Sequence, residues 1–529
     1  MFGSFSKKAQ QLHAYLKLLA VVIRRFVKCS YRFIIFHSNP FLIQLFYFIS
    51  ISFAGFLALK ILEPGNEVNR LKNLDLFFTS VSASTVSSMG TVEMEVFSDS
   101  QLWVLILLML VGGEVFTSML GLQFMKARFK SEGPTKKRAE SLSTDLEVPI
   151  CTNLDDESQL KCTILAGTLS KMHLPEGEHL KHDAIQYLGY VVLCYLIVAT
   201  LSGSSFILLY LSFVSNARDV LESKGIRIST FSFFTAVSSL GNCGFTPANE
   251  NMMIFKKNSI LLLLIVPQVL AGNTLFPVFL RFMIWVVKKL TKREELNYMI
   301  QHPRATRYKH LLPPEHSGYL AFTVLGFILV QMVLFCSLEW NSEALQGLNS
   351  FQKLVGALFQ SVNSRHAGES IIDLSKLSPA ILVLYVVMMY LPPYTSFLPI
   401  KDVEWRSVDE KEGNERGKLL KSLIFSQLSY LVIFITLICI TERKAMIEDP
   451  LNFNVFNIVF EVISAYGNVG FSIGYSCQRL LKPNNSCKDA WYGFVGRWSN
   501  QGKLILLFVM LFGRLKKFNM EGGKAWKLS

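Results

Sequence analysis

Four short stretches of this chain end in small polar residues and a glycine, a pattern that offers backbone carbonyls to a ligand rather than side chains. The first reads Phe77-Phe78-Thr79-Ser80-Val81 and then Ser87-Ser88-Met89-Gly90, and the second Phe233-Phe234-Thr235-Ala236-Val237 and then Gly241-Asn242-Cys243-Gly244. The third runs from Leu358-Phe359-Gln360-Ser361-Val362 to Arg365-His366-Ala367-Gly368, and the fourth from Val459-Phe460-Glu461-Val462-Ile463 to Gly467-Asn468-Val469-Gly470. Backbone that leaves helical geometry at membrane depth survives only where it is buried in protein or lines an aqueous cavity. Its carbonyls need a partner there, and a monovalent cation suits them, since carbonyl oxygens can replace its hydration shell. Glycine lets successive carbonyls turn inward at positive φ without a Cβ clash. Tight helix packing explains any single glycine equally well, but four at corresponding places favour a cation site.

Other residues could act on ions. Lys503 and Arg514 lie eleven positions apart, about three turns along one helix face. They either seek carbonyl or acidic partners beside a pore, with Glu461 one candidate, or snorkel to the interfaces. Glu114 follows Gly112-Gly113 inside an apolar run and is a functional or a structural carboxylate. Arg365 beside a cation site would repel ions unless neutralised, by Glu369 or by half-helix carbonyls. His173, His179 and His182, with Glu176, Glu178 and Asp183, have metal-ligand chemistry but no apolar framework to hold it, so a solvated loop is expected. No nucleophile with its base appears within the apolar runs, which argues against an integral membrane enzyme.

The elements that must position these residues follow from composition. Of 529 residues, 51% are hydrophobic, 17% are charged and 42 are Phe, which excludes an ordinary soluble enzyme and a disordered scaffold. The net charge of +14 reads as cytoplasmic loops rich in Lys and Arg rather than as a nucleic-acid surface. Runs long enough to cross the bilayer extend from Phe41 to Leu62, Leu102 to Met125, Ile185 to Val214, Ile260 to Val287, Tyr319 to Leu338, Pro379 to Ile400, Leu420 to Ile440 and Lys503 to Leu515. Basic residues crowd alternate loops, placing both termini in the cytoplasm. Between paired spans, stretches of about a dozen residues begin near Leu74, Phe231, Phe351 and Phe453, the length of a re-entrant half-helix, with Asn73, Thr230, Asn349 and Asn452 as N-caps.

The expected fold is therefore an all-α integral membrane protein with four membrane-pore-membrane repeats around one central pore. The units cover residues 40–125, 184–290, 316–400 and 419–517, with cytoplasmic linkers at 126–183, 291–315 and 401–418. A basic amphipathic segment at 1–39 and a tail at 518–529 complete the chain. Cys477 and Cys487 flank the sequon Asn484-Asn485-Ser486, a pairing suited to an oxidising, extracytoplasmic loop in which a disulfide and glycosylation are both open.

The loops Ser87-Ser88-Met89-Gly90-Thr91-Val92-Glu93-Met94-Glu95, Asn242-Cys243-Gly244-Phe245-Thr246-Pro247, Asn363-Ser364-Arg365-His366-Ala367-Gly368-Glu369 and Gly467-Asn468-Val469-Gly470-Phe471-Ser472 resemble those of plant high-affinity K+ transporters, the HKT family, relatives of bacterial Trk and Ktr transporters. The resemblance spans about Pro40 to Lys517. It implies K+ and Na+ passing the carbonyls of Gly90, Gly244, Gly368 and Gly470 and of their neighbours, with no cofactor, and uniport and Na+/K+ symport both open. It further implies a plasma-membrane homodimer with one pore per subunit, and Lys503 and Arg514 modulating flow. In that family a serine at the first filter position accompanies Na+ selectivity and a glycine accompanies K+ permeation. With Gly90 placed there, the K+-permeable subfamily II type is expected, and a Na+-selective uniporter is the alternative.

Overall fold

A chain this apolar can satisfy its backbone inside a bilayer only by helices or a closed barrel. In the computed structural model, which describes residues 40–62, 71–124, 176–306, 308–395, 427–481 and 487–519, it uses helices, and the described residues contain no strand beyond one isolated bridge between Tyr475 and Ala490. The first unit holds α1 (Pro40–Ile61), α2 (Asn73–Ser84), α3 (Asp99–Gly112) and α4 (Glu114–Phe124). The second holds α5 (Glu176–Phe213), α6 (Ser215–Ser223), α7 (Ile228–Gly241), α8 (Ser259–Gly272) and α9 (Phe276–Thr291), followed by α10 (Glu294–Gln301). In the third stand α11 (Pro314–Glu339), α12 (Ser350–Asn363) and α13 (Pro379–Tyr390). The fourth comprises α14 (Gln427–Thr441), α15 (Arg443–Glu448), α16 (Val455–Gly467) and α17 (Asn500–Asn519).

The spans differ in how plainly they cross. Among the described residues, α1, α5 and α11 are unbroken and long enough, and two bent pairs, α3 with α4 at 52° and α8 with α9 at 88°, raise the number to five. The runs expected over Leu102 to Met125 and Ile260 to Val287 are thus each broken by a bend. Gly112-Gly113 and Gly272-Asn273 interrupt the helices because glycine is costly in a helix interior. The expected Pro379 to Ile400 span stops at Tyr390, where Pro392 and Pro393 forbid continuation; residues 396–400 lie outside the described ones.

Glycines in these second crossings also serve packing. A Cβ on Gly112 would stand 1.9 Å from the Ser84 carbonyl oxygen, one on Gly272 1.8 Å from that of Leu240, and one on Gly513 2.0 Å from that of Tyr466. In three units, therefore, the second crossing touches the C-terminal end of its half-helix backbone to backbone. The repeated Phe78, Phe234, Phe359 and Phe460 are all fully buried, so the half-helices α2, α7, α12 and α16 are anchored alike.

Their N-termini are less uniform. Asn349 caps α12 in a capping box with Gln352, as its sequence position suggests. The cap of α16 is Asn454, not Asn452, whose amide is taken by Asp449 and the Ser476 carbonyl. Lys72 and Arg227 precede α2 and α7, and Thr230 instead donates to Asp99 at 2.5 Å. Cys477 and Cys487 are disulfide-bonded, with Cα atoms 5.9 Å apart. Asn484 lies outside the described residues, as do the 1–39 segment and the tail from residue 520.

Candidate functional site

Hydrogen bonds and backbone geometry relate the four loops, with the third loop one residue shorter between the two. Beyond each half-helix the backbone N–H five residues on returns to a carbonyl: Ser87 to Ser82 at 2.8 Å, Cys243 to Ser238 at 2.8 Å, Val469 to Ser464 at 3.0 Å and Gly368 to Asn363 at 3.1 Å. The next N–H in loops two and four, from Gly244 and Gly470, is held by the Ser238 and Ser464 hydroxyls at 3.0 and 3.1 Å. The next residue turns into left-handed geometry in three loops, Ser88 (φ 51°), Gly244 (φ 88°) and Gly470 (φ 96°), whereas in the shorter third loop the returning residue does so itself, Gly368 (φ 68°).

These four residues form a ring in which each leans on the next. A Cβ on Gly244 would lie 1.5 Å from the Ala367 carbonyl oxygen, and one on Gly368 2.2 Å from that of Val469. On Gly470 it would lie 2.3 Å from Ser88 Cβ and 2.9 Å from the Ser87 carbonyl oxygen. The Cys243 thiol meets the Ser88 backbone and closes the circle. All four half-helices point their C-terminal ends at it, which favours positive charge.

Gly90 is not in this ring. It stands two residues beyond Ser88, at the place of Thr246, Ser370 and Ser472, without left-handed φ, and packs so closely on the Tyr492 carbonyl that a Cβ would approach it to 2.6 Å. Assigning Gly90 to the ring is corrected to Ser88, and the glycine-based argument for a K+-permeable type loses its footing. Gly90 lines a cavity of 60 Å³ that also touches Ser88, Gly244, Gly368 and Gly470.

A polar shell holds the loops. Gln360 Oε1 accepts from Ser370 Oγ and the Ile371 N–H, each at 3.4 Å, and at the matching position Glu461 Oε1 accepts from Ser472 Oγ at 2.5 Å and the Ile473 N–H at 3.1 Å. Asn468 donates to Ser87 Oγ at 2.7 Å and to the Met510 carbonyl at 3.2 Å. His366 Nδ1 shares a 2.9 Å hydrogen bond with Thr274 Oγ1, and Met89 is held through its N–H by Ser82 Oγ at 2.8 Å. Asn242, like Asn468, adopts left-handed φ at its helix end, where an Asn pays little for it.

The charged residues are partnered differently from expectation. Lys503 pairs with buried Asp75 at 2.8 Å, not with Glu461, and Arg514 donates to the Gly112 carbonyl and faces the Phe48 ring at 5.7 Å. Both basic side chains are buried, so neither snorkels. Arg365 donates to the Pro392 carbonyl at 2.7 Å and lies 4.8 Å over the Phe327 ring, while Glu369 accepts from Ser239 at 2.7 Å, so that ion pair is not formed. Glu114 sits 3.4 Å from the Tyr394 hydroxyl and 3.9 Å from His310 Nδ1. Asp75 and Thr274 escaped the sequence reading, although an Asp inside the first apolar half-helix was a visible signal. The side chains of His173, His179 and His182 fall outside the described residues, among which no His, Cys, Asp and Glu group could hold a metal.

Comparison with known proteins bears on this geometry. Residues 165–520 match the TrkH family, described as a cation transport protein. The chain is 55% identical over 528 residues to Cation transporter HKT1;3 of Oryza sativa subsp. japonica, covering 100% of this chain and 96% of that one. It is 50% identical over 478 residues to Sodium transporter HKT1 of Arabidopsis thaliana, covering 89% and 92%. Among solved structures it is similar to the potassium transporter TrkH of Vibrio parahaemolyticus, with a TM-score of 0.50 at 13% identity, covering 91% of this chain and 84% of that chain.

Proposed function

The chain belongs to the HKT family within the Trk/Ktr/HKT superfamily of cation transport proteins, and from that premise we propose that it carries Na+ in preference to K+ through the ring of Ser88, Gly244, Gly368 and Gly470. It is a multi-pass membrane transporter, not an enzyme. The observation that carries the Na+ reading is Ser88 in the place of a fourth glycine. Its Cβ and hydroxyl crowd one quarter of a carbonyl ring and alter the field an ion meets there, where dehydrated K+ and Na+ differ in size and in the coordination they accept. The name of the Arabidopsis relative supports the same preference. Uptake runs across the plasma membrane, each subunit of a homodimer holding its own pore, with Lys503 and Arg514 fixing α17 beside it.

Ser88→Gly is expected to raise the K+ to Na+ permeability ratio about tenfold, which corresponds to about 1.4 kcal/mol. Glycine adopts the left-handed φ of Ser88 more readily than serine does, so the variant keeps its fold. Reversal potentials in mixed Na+ and K+ solutions read the ratio independently of expression, and an unchanged ratio would remove Ser88 from the ion path.

The half-helices enter from outside in this reading, and both termini are cytoplasmic. A cysteine at exposed Lys257, after the second loop, is expected to react with an impermeant thiol reagent added externally, whereas one at exposed Glu315, ahead of α11, is not. Reaction of both from one side would refute the arrangement.

A further inference from the structure

The second unit carries a feature that ion passage through the ring does not require. α8 bends into α9 by 88°, so where α8 runs along the membrane normal, α9 lies close to the membrane plane. The two faces of α9 are unlike. Phe276, Leu280 and Ile284 are fully buried, recurring every fourth residue, and they pack with Leu188 and Val192 of α5. The opposite face shows Phe282, Trp285 and Lys289, with Phe282 61% and Trp285 49% exposed and their rings stacked at 6.0 Å.

Positive charge gathers where that face ends. A cavity of 490 Å³ is lined by Trp285, Lys288, Lys289, Lys292 and Arg293, with Glu294 the single acidic side chain in its wall. Lys289 stands 5.2 Å over the Trp285 ring, and Arg293 4.8 Å over the ring of Tyr187 on α5. Lys292 ends α9 in left-handed geometry (φ 52°), turning Arg293 back toward that ring. Stacked exposed aromatics beside a cluster of cations are the composition of an interfacial amphipathic helix, whose rings enter the acyl boundary while its cations stay with the headgroups.

We propose that α9 and the turn after it dock an acidic phospholipid headgroup of the cytoplasmic leaflet. Four cations against one carboxylate give the charge complementarity, and juxtamembrane cations attract anionic lipid at about 1 kcal/mol each. The contact reaches the ion path, because α9 begins two residues after Thr274, whose hydroxyl bonds His366 in the third loop. A lipid that seats α9 thereby steadies the loop carrying Gly368.

The test reads the helix directly. Full-length protein is reconstituted in liposomes containing brominated phosphatidylserine or brominated phosphatidylcholine, and tryptophan quenching is measured for wild type, Trp285→Phe and the Lys288→Gln/Lys289→Gln/Lys292→Gln/Arg293→Gln variant. Brominated phosphatidylserine is expected to quench the Trp285-dependent signal at least about twofold more than brominated phosphatidylcholine, an excess lost in the neutralised variant. Equal quenching by both lipids, or quenching by neither because a second copy covers the face, overturns the proposal. Because the acidic lipid occupies both leaflets, the outcome does not depend on the proposed sidedness, and because no ion is followed, it does not depend on the proposed selectivity. Thermal melting of the neutralised variant within a few degrees of wild type confirms that it remains folded.

Discussion

Gly244→Ala is expected to abolish cation transport, with a loss of at least about a hundredfold in flux at equal reconstituted protein, about 2.7 kcal/mol at the rate-limiting barrier. The added Cβ would sit 1.5 Å from the Ala367 carbonyl oxygen, and no rotamer relieves overlap with backbone, so the second and third loops must separate where their carbonyls face the ion. Left-handed φ adds about 1–2 kcal/mol for an L residue. Gly225 supplies the control: it too is left-handed, φ 69° against 88°, but has open space around its Cβ position, so Gly225→Ala bears only the conformational cost and should retain transport. Ion flux into proteoliposomes measures both. If Gly244→Ala kept more than about a tenth of wild-type flux, the close approach of the two loops would not matter to conduction.

Asp75→Asn should be the most damaging of the charge substitutions. It leaves the Lys503 ammonium without its carboxylate, and breaking a buried pair costs about 3–5 kcal/mol because an uncompensated charge remains. Removing both charges is far milder, since a well-packed apolar pair can replace a buried ion pair at little cost. Asp75→Asn is therefore expected to lower the melting temperature in detergent sharply, and Asp75→Leu/Lys503→Met to recover most of the loss. Equal melting of Asp75→Asn and wild type would mean that the ammonium finds water or another acceptor.

Much of this architecture was legible in the residues because it follows from length and repetition. Apolar runs about twice as long as the half-helices separate the two kinds of element, and a Phe at the matching position marks each unit. What misled was matching glycine with glycine. Counted from the buried Phe, the ring residue is the tenth in three loops, Phe78 to Ser88, Phe234 to Gly244 and Phe460 to Gly470, and the ninth in the shorter third loop, Phe359 to Gly368. That count selects Ser88 without a structure. Left-handed geometry at a serine runs against residue preference and is enforced only by the surrounding loops, so preference alone favoured Gly90. The bends at Gly113 and Asn273 were hidden for a different reason: hydropathy registers an apolar run, not its direction. Partners such as Asp75 for Lys503 are 428 residues apart, and no local pattern announces them.

The way the loops lean on one another gives the ring a direction. Gly244 rests on the segment before Gly368, Gly368 on that before Gly470, and Gly470 on Ser87 and Ser88. It behaves as an arch without a keystone, in which an atom added to one loop presses on the next. Compensating changes are then to be sought in the following loop, so the four loops, though written far apart along one chain, are free to vary only in concert around the circle.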